Sequence, residues 1–489
     1  MMINLQELIV FSPFFISVFS LIIVILSISY SRNHFFTALF VVSSLTSMLF
    51  SLFFLTSKVP LNVANLFYVD GYSILYISMI IIASICTCIF AYPSLKQYLY
   101  NKEEFYLLIL IANLGSILSI ISNNMSSLFM SIEITSIPMF GLIAYFNNKK
   151  YSLEAAFKYV ILSSVASSFL LFGIAWVYSI SGDLNFTSIN HILNIISFNE
   201  KLVILFGIIM ILISLFFKLS IVPFHLWTPD VYEGTPSVVL SFFSTVGKIA
   251  TFVILLHVLS HVSNINNILY FLLSLMTIFS MLIGNLMALF QNNLKRFFGY
   301  SSISQLAYLF IVLLVSKDNY ALSLEASSIY LFSYLFSNVA YFGIINLISN
   351  VHHDKDVDSI SSYKGFFWSD PILSSILTVI LLSLSGFPMT VGFIGKFYIL
   401  SIVLKEHLWI VGISFLISTI LGFFCYLKII INLYCDLSST SSLKKFNTLK
   451  NNWLYTPTGL VIFFAGMILL IFGVYPNPLI NFITLISCL

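Results

Sequence analysis

Six charged side chains stand where charge is costly. Glu133, Lys158, Lys218, Lys248, Lys396 and Lys428 all fall inside long apolar runs. A lysine at the centre of a membrane span costs roughly 2.5–3.5 kcal/mol. Five such lysines, unpaired in lipid, would together cost roughly 12–18 kcal/mol. They must face one another, the acid or water. Ionisable groups placed this way hold ions or relay protons. Glu154 precedes Lys158 by four residues, so the two share a helix face and can pair. That pair sits nearer one end of its run, where a plain interfacial salt bridge is the competing reading. Lys428 is also near an end, and its long stem allows snorkelling or simple packing.

The stretch 201–230, KLVILFGIIMILISLFFKLSIVPFHLWTPD, shows how such a charge is positioned. No charge separates Lys201 from Lys218. Pro223 follows, and a proline inside a helix removes a donor and forces a bend or break. Broken backbone survives at membrane depth only where it lines protein or water. A cation beside a break is therefore a candidate ion site. His225 lies just beyond the proline.

The elements behind these residues are membrane spans. Of 489 residues, 60% are hydrophobic and 8% charged, and several apolar runs exceed 18 residues, so the chain is an all-α polytopic membrane protein. Fourteen spans are expected, near 7–30, 35–57, 72–94, 105–122, 125–146, 153–181, 201–230, 236–261, 267–290, 295–316, 320–350, 370–404, 407–434 and 457–484. Loops after odd-numbered spans hold Arg32, Lys96, Lys102, Lys149, Lys150, Lys295, Arg296, Lys355, Lys364, Lys444, Lys445 and Lys450. Loops after even-numbered spans hold only Lys58, Lys201, Lys317 and Lys405. Positive loops stay in the cytoplasm, which puts both termini outside. The loop after span 7 breaks the pattern with Asp230 and Glu233. Glu7 and the lack of a basic n-region mark the first run as a span and not a removed signal. Cys86 and Cys88 are the one close cysteine pair and have no His or Asp beside them, so they read as packing residues. No basic patch suggests nucleic acid.

An internal repeat shows in the same residues. The run SILTVILLSLSGFPMTVGFIGKFYILSIV carries Gly386, Pro388 and Gly392 before Lys396, an interrupted span with a lysine, like span 7. Lys248 follows Lys218 by 30 residues, and Lys428 follows Lys396 by 32. Span 7 thus pairs with span 12, and span 8 with span 13. The offset of five is odd, so the second copy is inverted. Inverted repeats with one broken helix each carry ion sites in transporters.

Three runs carry a family resemblance: FKLSIVPFHLWTPDVYEGTP (217–236), LKRFFGYSSISQLAY (294–308) and LSGFPMTVGFIGKFYIL (384–400). They resemble the antiporter-like subunits of proton-pumping NADH:quinone oxidoreductase, complex I, most nearly the bacterial N type. The likeness implies fourteen helices with two inverted five-helix repeats, each with a broken helix. Helices 1–3 would occupy 1–104, the first repeat 105–261, the second 262–436, and a loop with helix 14 437–489. It implies proton transfer by Glu133, Lys158, Lys218, His225, Lys248 and Lys396. Glu133 would be the partner of Lys218, and His225 a relay between the halves. The family commonly has His where Gln305 stands, and Gln takes up no proton.

Burial disfavours a charged lysine and a neighbouring carboxylate favours it, so moving such a pair apart and together unloads and reloads a proton. The proton would pass from Lys218 to Lys248 and out by Lys396, through His225 and water. The chain has no GxGxxG after a strand, no Walker run and no cysteine ligand set. The likeness therefore implies no cofactor and no metal in this chain. NADH, FMN, iron–sulfur clusters and quinone are expected in partner subunits of the complex, in the inner membrane of a bacterial cell. A subunit of a multisubunit cation/proton antiporter is the alternative. The loop charges give a direct test: cysteine introduced at Ser361 should react with an impermeant maleimide only in inverted or permeabilised membranes. Labelling from outside intact cells would reverse the orientation.

Overall fold

Apolar runs with no other source of backbone partners fold into helices, which satisfy their own amides and carbonyls in lipid. A computed structural model describes residues 5–96, 98, 101–146, 150–188, 197–262, 267–315, 319–351, 358–435 and 453–487. The helices are α1 (Ser12–Tyr30), α2 (His34–Leu55), α3 (Gly71–Lys96), α4 (Glu104–Ile120), α5 (Met125–Ile143) and α6 (Lys150–Ser181). Next come α7, in two parts (Phe198–Leu219 and Trp227–Gly234), and α8, which begins at Ser237 and ends at Val262. Then follow α9 (Asn267–Leu289), α10 (Leu294–Val315), α11 (Tyr320–Val351), α12 in two parts (Pro371–Ser385 and Val391–Lys405), α13 (Trp409–Tyr434) and α14 (Pro457–Val474). Among the described residues, 12 of these helices are long and apolar enough to cross a membrane. α4 and the two-part α12 are the other two spans, which gives the expected fourteen. Lys149, Lys317, Lys355, Lys444, Lys445 and Lys450 lie outside the described residues, as do 437–452 of the C-terminal loop.

The observed elements differ from the sequence reading in three places. Span 14 is not continuous to 484: α14 stops at Val474, and a separate helix starts at Asn477. Pro476 and Pro478 explain the stop, since neither offers an amide and each pushes its predecessor out of the helical region. The connection between α2 and α3 holds a hairpin, β1 (Leu61–Val63) antiparallel to β2 (Phe67–Val69). Ala64 and Asn65 turn it at positive φ. α8 contains a π turn, Phe243–Gly247, directly before Lys248.

Packing sorts the helices. α8, α10 and α11 are almost wholly buried, whereas α1, α6 and α14 leave most of their surface open to lipid or a neighbour. α6 lies along α7 at very close range. A Cβ on Gly173 would meet the Gly207 carbonyl at 2.6 Å, and one on Gly207 would meet the Gly173 carbonyl at 2.8 Å. Small residues permit such backbone approach where no hydrophobic force joins helices in lipid. Gly207→Ala should cost about 1–3 kcal/mol through overpacking. Thermal unfolding of the detergent-solubilised assembly should show a lower midpoint for it than for wild type.

Candidate functional site

The two broken helices end in the same local motif. The first part of α7 ends at Ser220, φ 61°, and the first part of α12 at Gly386, φ 82°. At the first break, Ile221 N–H donates to Phe216 O at 3.0 Å and Ser220 N–H to Phe217 O at 3.0 Å. At the second, Phe387 N–H donates to Leu382 O at 3.0 Å and Gly386 N–H to Ser383 O at 3.1 Å. Each is a Schellman turn. The first helix thus stops three residues before Pro223, earlier than the proline alone requires.

A helix end leaves its last carbonyls without intrahelical partners. In α7, Trp227 Nε1–H also donates to Phe217 O at 3.1 Å, and Ser220 Oγ donates to Leu219 O. The Lys218 carbonyl receives Lys248 Nζ at 3.0 Å, and the same ammonium donates to Ser220 Oγ at 2.8 Å. In α12, Lys396 Nζ donates to Leu384 O at 3.0 Å and Ser385 O at 2.8 Å. Leu384 O also accepts from Gln305 Nε2 at 3.0 Å. Each break is thus sealed by a buried lysine at the negative end of a helix dipole. Each of these lysines also lies about 5 Å over an aromatic ring, Lys248 over Trp227 and Lys396 over Tyr308. Gly392 lets the halves of α12 close up, for a Cβ there would sit 1.8 Å from Ser383 O.

The lysines that seal the two breaks do not stand at matching places in the sequence. Lys218 stands two residues before its cap, but Lys396 stands ten after its own. The residue that does for the first break what Lys396 does for the second is Lys248. Lys428 seals neither break. It is exposed and donates to Leu289 O at 3.1 Å, at the end of α9. Among the described residues no carboxylate pairs with Lys396; helix carbonyls hold it.

Water-sized space adjoins both lysines. Lys218 and Lys248 line a cavity of about 30 Å³ with Thr135, Ser136, Tyr159 and Thr251. Lys396 lines one of about 10 Å³ with Gln305, Tyr330, Tyr334 and Ser337. A water needs about 10–15 Å³ of such space, so the first holds two and the second one. Among the described residues, Lys218 Nζ makes no hydrogen bond and no ion pair within 4.0 Å.

The expected Glu133–Lys218 contact is absent from this structure. Glu133 is half-buried, and Ser136 Oγ donates to its Oε2 at 3.4 Å. Its position lies about 115° around α5 from the face that Thr135, Ser136 and Met139 present to the cavity. Helical register keeps it off the cavity wall, but its charge still reaches Lys218 and Tyr159. Lys158 pairs with Glu154 at 2.8 Å, as spacing predicted, and also with Asp230 at 2.8 Å. Asp230 continues to Arg296 at 3.3 Å, and Arg296 to Glu233 at 3.0 Å. This chain of charges ties the short part of α7 to α6 and α10. Its members are a third or more exposed, so it holds position more than it stabilises. The sequence signal for it was the acidic exception in the loop after span 7. His225 is buried, and its Nδ1 has no partner among the described residues. It lines neither cavity.

Comparison with known proteins places the arrangement. The family described as NADH:quinone oxidoreductase/Mrp antiporter, TM matches residues 122–422. NADH-quinone oxidoreductase subunit N from Buchnera aphidicola subsp. Acyrthosiphon pisum (strain APS) is 60% identical over 484 residues, 99% of either chain. The chain belongs to the family of NADH-quinone oxidoreductase subunit N. Subunit N of the Schizaphis graminum strain is 57% identical over the same share. A chain of respiratory complex I from Thermus thermophilus superposes with a TM-score of 0.80 at 25% identity, covering 96% of this chain and 98% of that one. A chain of the Mrp complex from Dietzia sp. DQ12-45-1b matches with a TM-score of 0.82 at 16% identity over 98% and 96%, which shows the fold alone. Subunit N is a proton-pumping, antiporter-like membrane subunit of complex I, so the cavities and sealed breaks lie in a pump.

Gln305 occupies the centre of the second site. It donates to Leu384 O and Tyr426 Oη, each at 3.0 Å, and accepts from Tyr330 Oη. Gln305→Leu strips two buried tyrosines of a partner, at about 1–3 kcal/mol for each orphaned group. The assembled complex should melt earlier with Gln305→Leu than with Gln305→His, by differential scanning measurement.

Proposed function

We propose that protons cross this subunit by way of Lys218, Lys248 and Lys396, with the two sealed breaks as their resting places. The observation that carries this reading is the pairing of a buried lysine on helix carbonyls with a cavity big enough for water. An ammonium has three donors. Lys248 and Lys396 each use two on protein oxygens. The third is free for water in the adjoining cavity. Helix carbonyls thereby hold the loaded lysine without a carboxylate, and release follows when water takes that third proton.

Lys218 faces the same water as Lys248, so a proton passes between them without a protein link. Glu133 acts by distance. Its charge already reaches Lys218 here without a direct contact, and a closer approach would strengthen that interaction. Lys158, fixed by Glu154 and Asp230, sets the charge at the cytoplasmic side of the first repeat. His225 stands in the loop of the first break as a titratable link toward the second half. We assign the first repeat to 105–261 and the second to 262–436, with both termini outside the inner membrane of a bacterial cell. NADH, FMN, iron–sulfur clusters and quinone belong to partner subunits, and this chain is driven by them.

Lys396→Met keeps length and apolar bulk while removing the charge. The complex should assemble on native gels, yet proton uptake into inverted vesicles during NADH oxidation should fall strongly. Lys396→Arg should also be impaired, because guanidinium keeps its proton. Glu133→Ala should reduce pumping more than assembly, and Glu133→Asp should keep part of it. Wild-type gradients in an assembled Lys396→Met complex would remove that lysine from the path.

A further inference from the structure

The second cavity lies against α11, and one face of that helix runs from it toward the outer end. α11 carries Tyr320, Ser323, Ser327, Tyr330, Tyr334 and Ser337 within about 100° of arc, counting 3.6 residues per turn. Five of them, Ser323, Ser327, Tyr330, Tyr334 and Ser337, are buried at 2% exposure or less. Tyr330, Tyr334 and Ser337 line the Lys396 cavity. Tyr320 opens the helix at its outer end. From Tyr320 to Tyr330 the helix rises about 15 Å, half the thickness of a hydrocarbon core. α3 packs against this face of α11. From α3, Tyr76, which is 1% exposed, meets Ser327 with its hydroxyl at 3.0 Å. Ser327 Oγ already donates to Leu324 O at 3.0 Å, so in the Tyr76 contact it accepts. Asp70 caps the outer end of α3, its Oδ1 taking Ser73 N–H at 2.7 Å. The Asp70 charge reaches Tyr68, Tyr76 and Tyr320.

We propose that protons leave the Lys396 cavity outward along this face of α11, through the Tyr76–Ser327 hydrogen bond, to Asp70. The inference rests on Lys396 carrying a proton. The Lys396 ammonium gives one proton to the cavity water. The hydroxyls of Ser327 and Tyr76 each take a proton and hand on their own. The Asp70 carboxylate takes the last and yields it to outside water. One N–H bond is broken and one O–H bond is made for each proton delivered. Ser327 accepts from Tyr76 at rest, so the pair must reverse its hydrogen bond before a proton can move outward. That makes the contact a gate as well as a wire.

The test uses the complete complex in inverted vesicles, whose lumen is the outer side. Tyr76→Phe deletes the hydroxyl and keeps the ring. Asp70→Asn keeps the cap and removes the charge. Each should assemble and slow coupled turnover about 2- to 10-fold, the rate equivalent of one lost hydrogen bond. The ratio of rates in H₂O and D₂O should rise with Tyr76→Phe, which a merely structural change would not produce. Asp70→Glu should restore pumping. Ser328→Ala, equally buried but about 130° from the stripe, should be silent. Should Asp70→Asn fail to assemble, Tyr76→Phe decides. Wild-type pumping by Tyr76→Phe beside an impaired Lys396→Met would overturn the outward path and leave the lysine its role. Wild-type pumping by both would remove the two together.

Discussion

The structure depends on an accounting forced by the bilayer. Every buried carbonyl needs a donor, and a helix broken at membrane depth sets free carbonyls that water cannot reach in bulk. Here the last four carbonyls of each first half are all answered. Two receive amides of the turn itself. The others receive a hydroxyl, a carboxamide and, at both breaks, a lysine, while an indole adds to one that already has an amide. The lysine and the break therefore explain each other. The cation would be untenable in an unbroken helix bundle, and the break would be untenable without a strong donor. Pumping needs a buried charge that can come and go, and this arrangement supplies a place where the charge is tolerated.

Much of this was legible in the chain. Hydropathy marks spans because lipid admits little else, and a lysine among leucines cannot be hidden by composition. Hence fourteen spans, both breaks and every lysine of the site were readable. Orientation around a helix axis was not. Glu133 is visible as an intramembrane acid, but only packing shows that it sits a third of a turn from the cavity. The break at Ser220 was read as the work of Pro223 because a non-glycine residue at φ 61° has no distinctive sequence signal. The π turn before Lys248 is equally silent, since FSTVG reads as ordinary helix. The matching intervals of 30 and 32 residues left open which lysine seals each break. An interval in sequence says nothing of which side of a break each residue occupies.

Gln305 shows how a departure from a family pattern can be absorbed. A side chain that takes up no proton stands among Leu384 O, Tyr330 and Tyr426 with all three in contact. It shares the Leu384 carbonyl with Lys396. The carboxamide thus helps fix the acceptor that holds the lysine, and the cavity beside both has room for the water that a relay requires. Positioning and proton carriage are separate tasks: the amide does the first, and on the proposed path lysine and water do the second.

The two repeats seal the same motif by different routes, and the difference has a mechanical meaning. In the first, the lysine comes from α8, 30 residues along the chain from the carbonyl it caps. In the second, it comes from the continuation of the same helix, 12 residues along. A shift of α8 against α7 would pull Lys248 off its carbonyl, whereas the same shift between α12 and its neighbours would leave Lys396 in place. The π turn lies directly before Lys248, where an extra residue per turn lets a helix adjust locally. The first cavity is also the larger, with space for water to replace the lysine on the exposed carbonyl. On the proposed path, movement at α7 and α8 therefore couples to loading in the first half. The second half, locked within one helix and beside room for a single water, is controlled by what that water can reach.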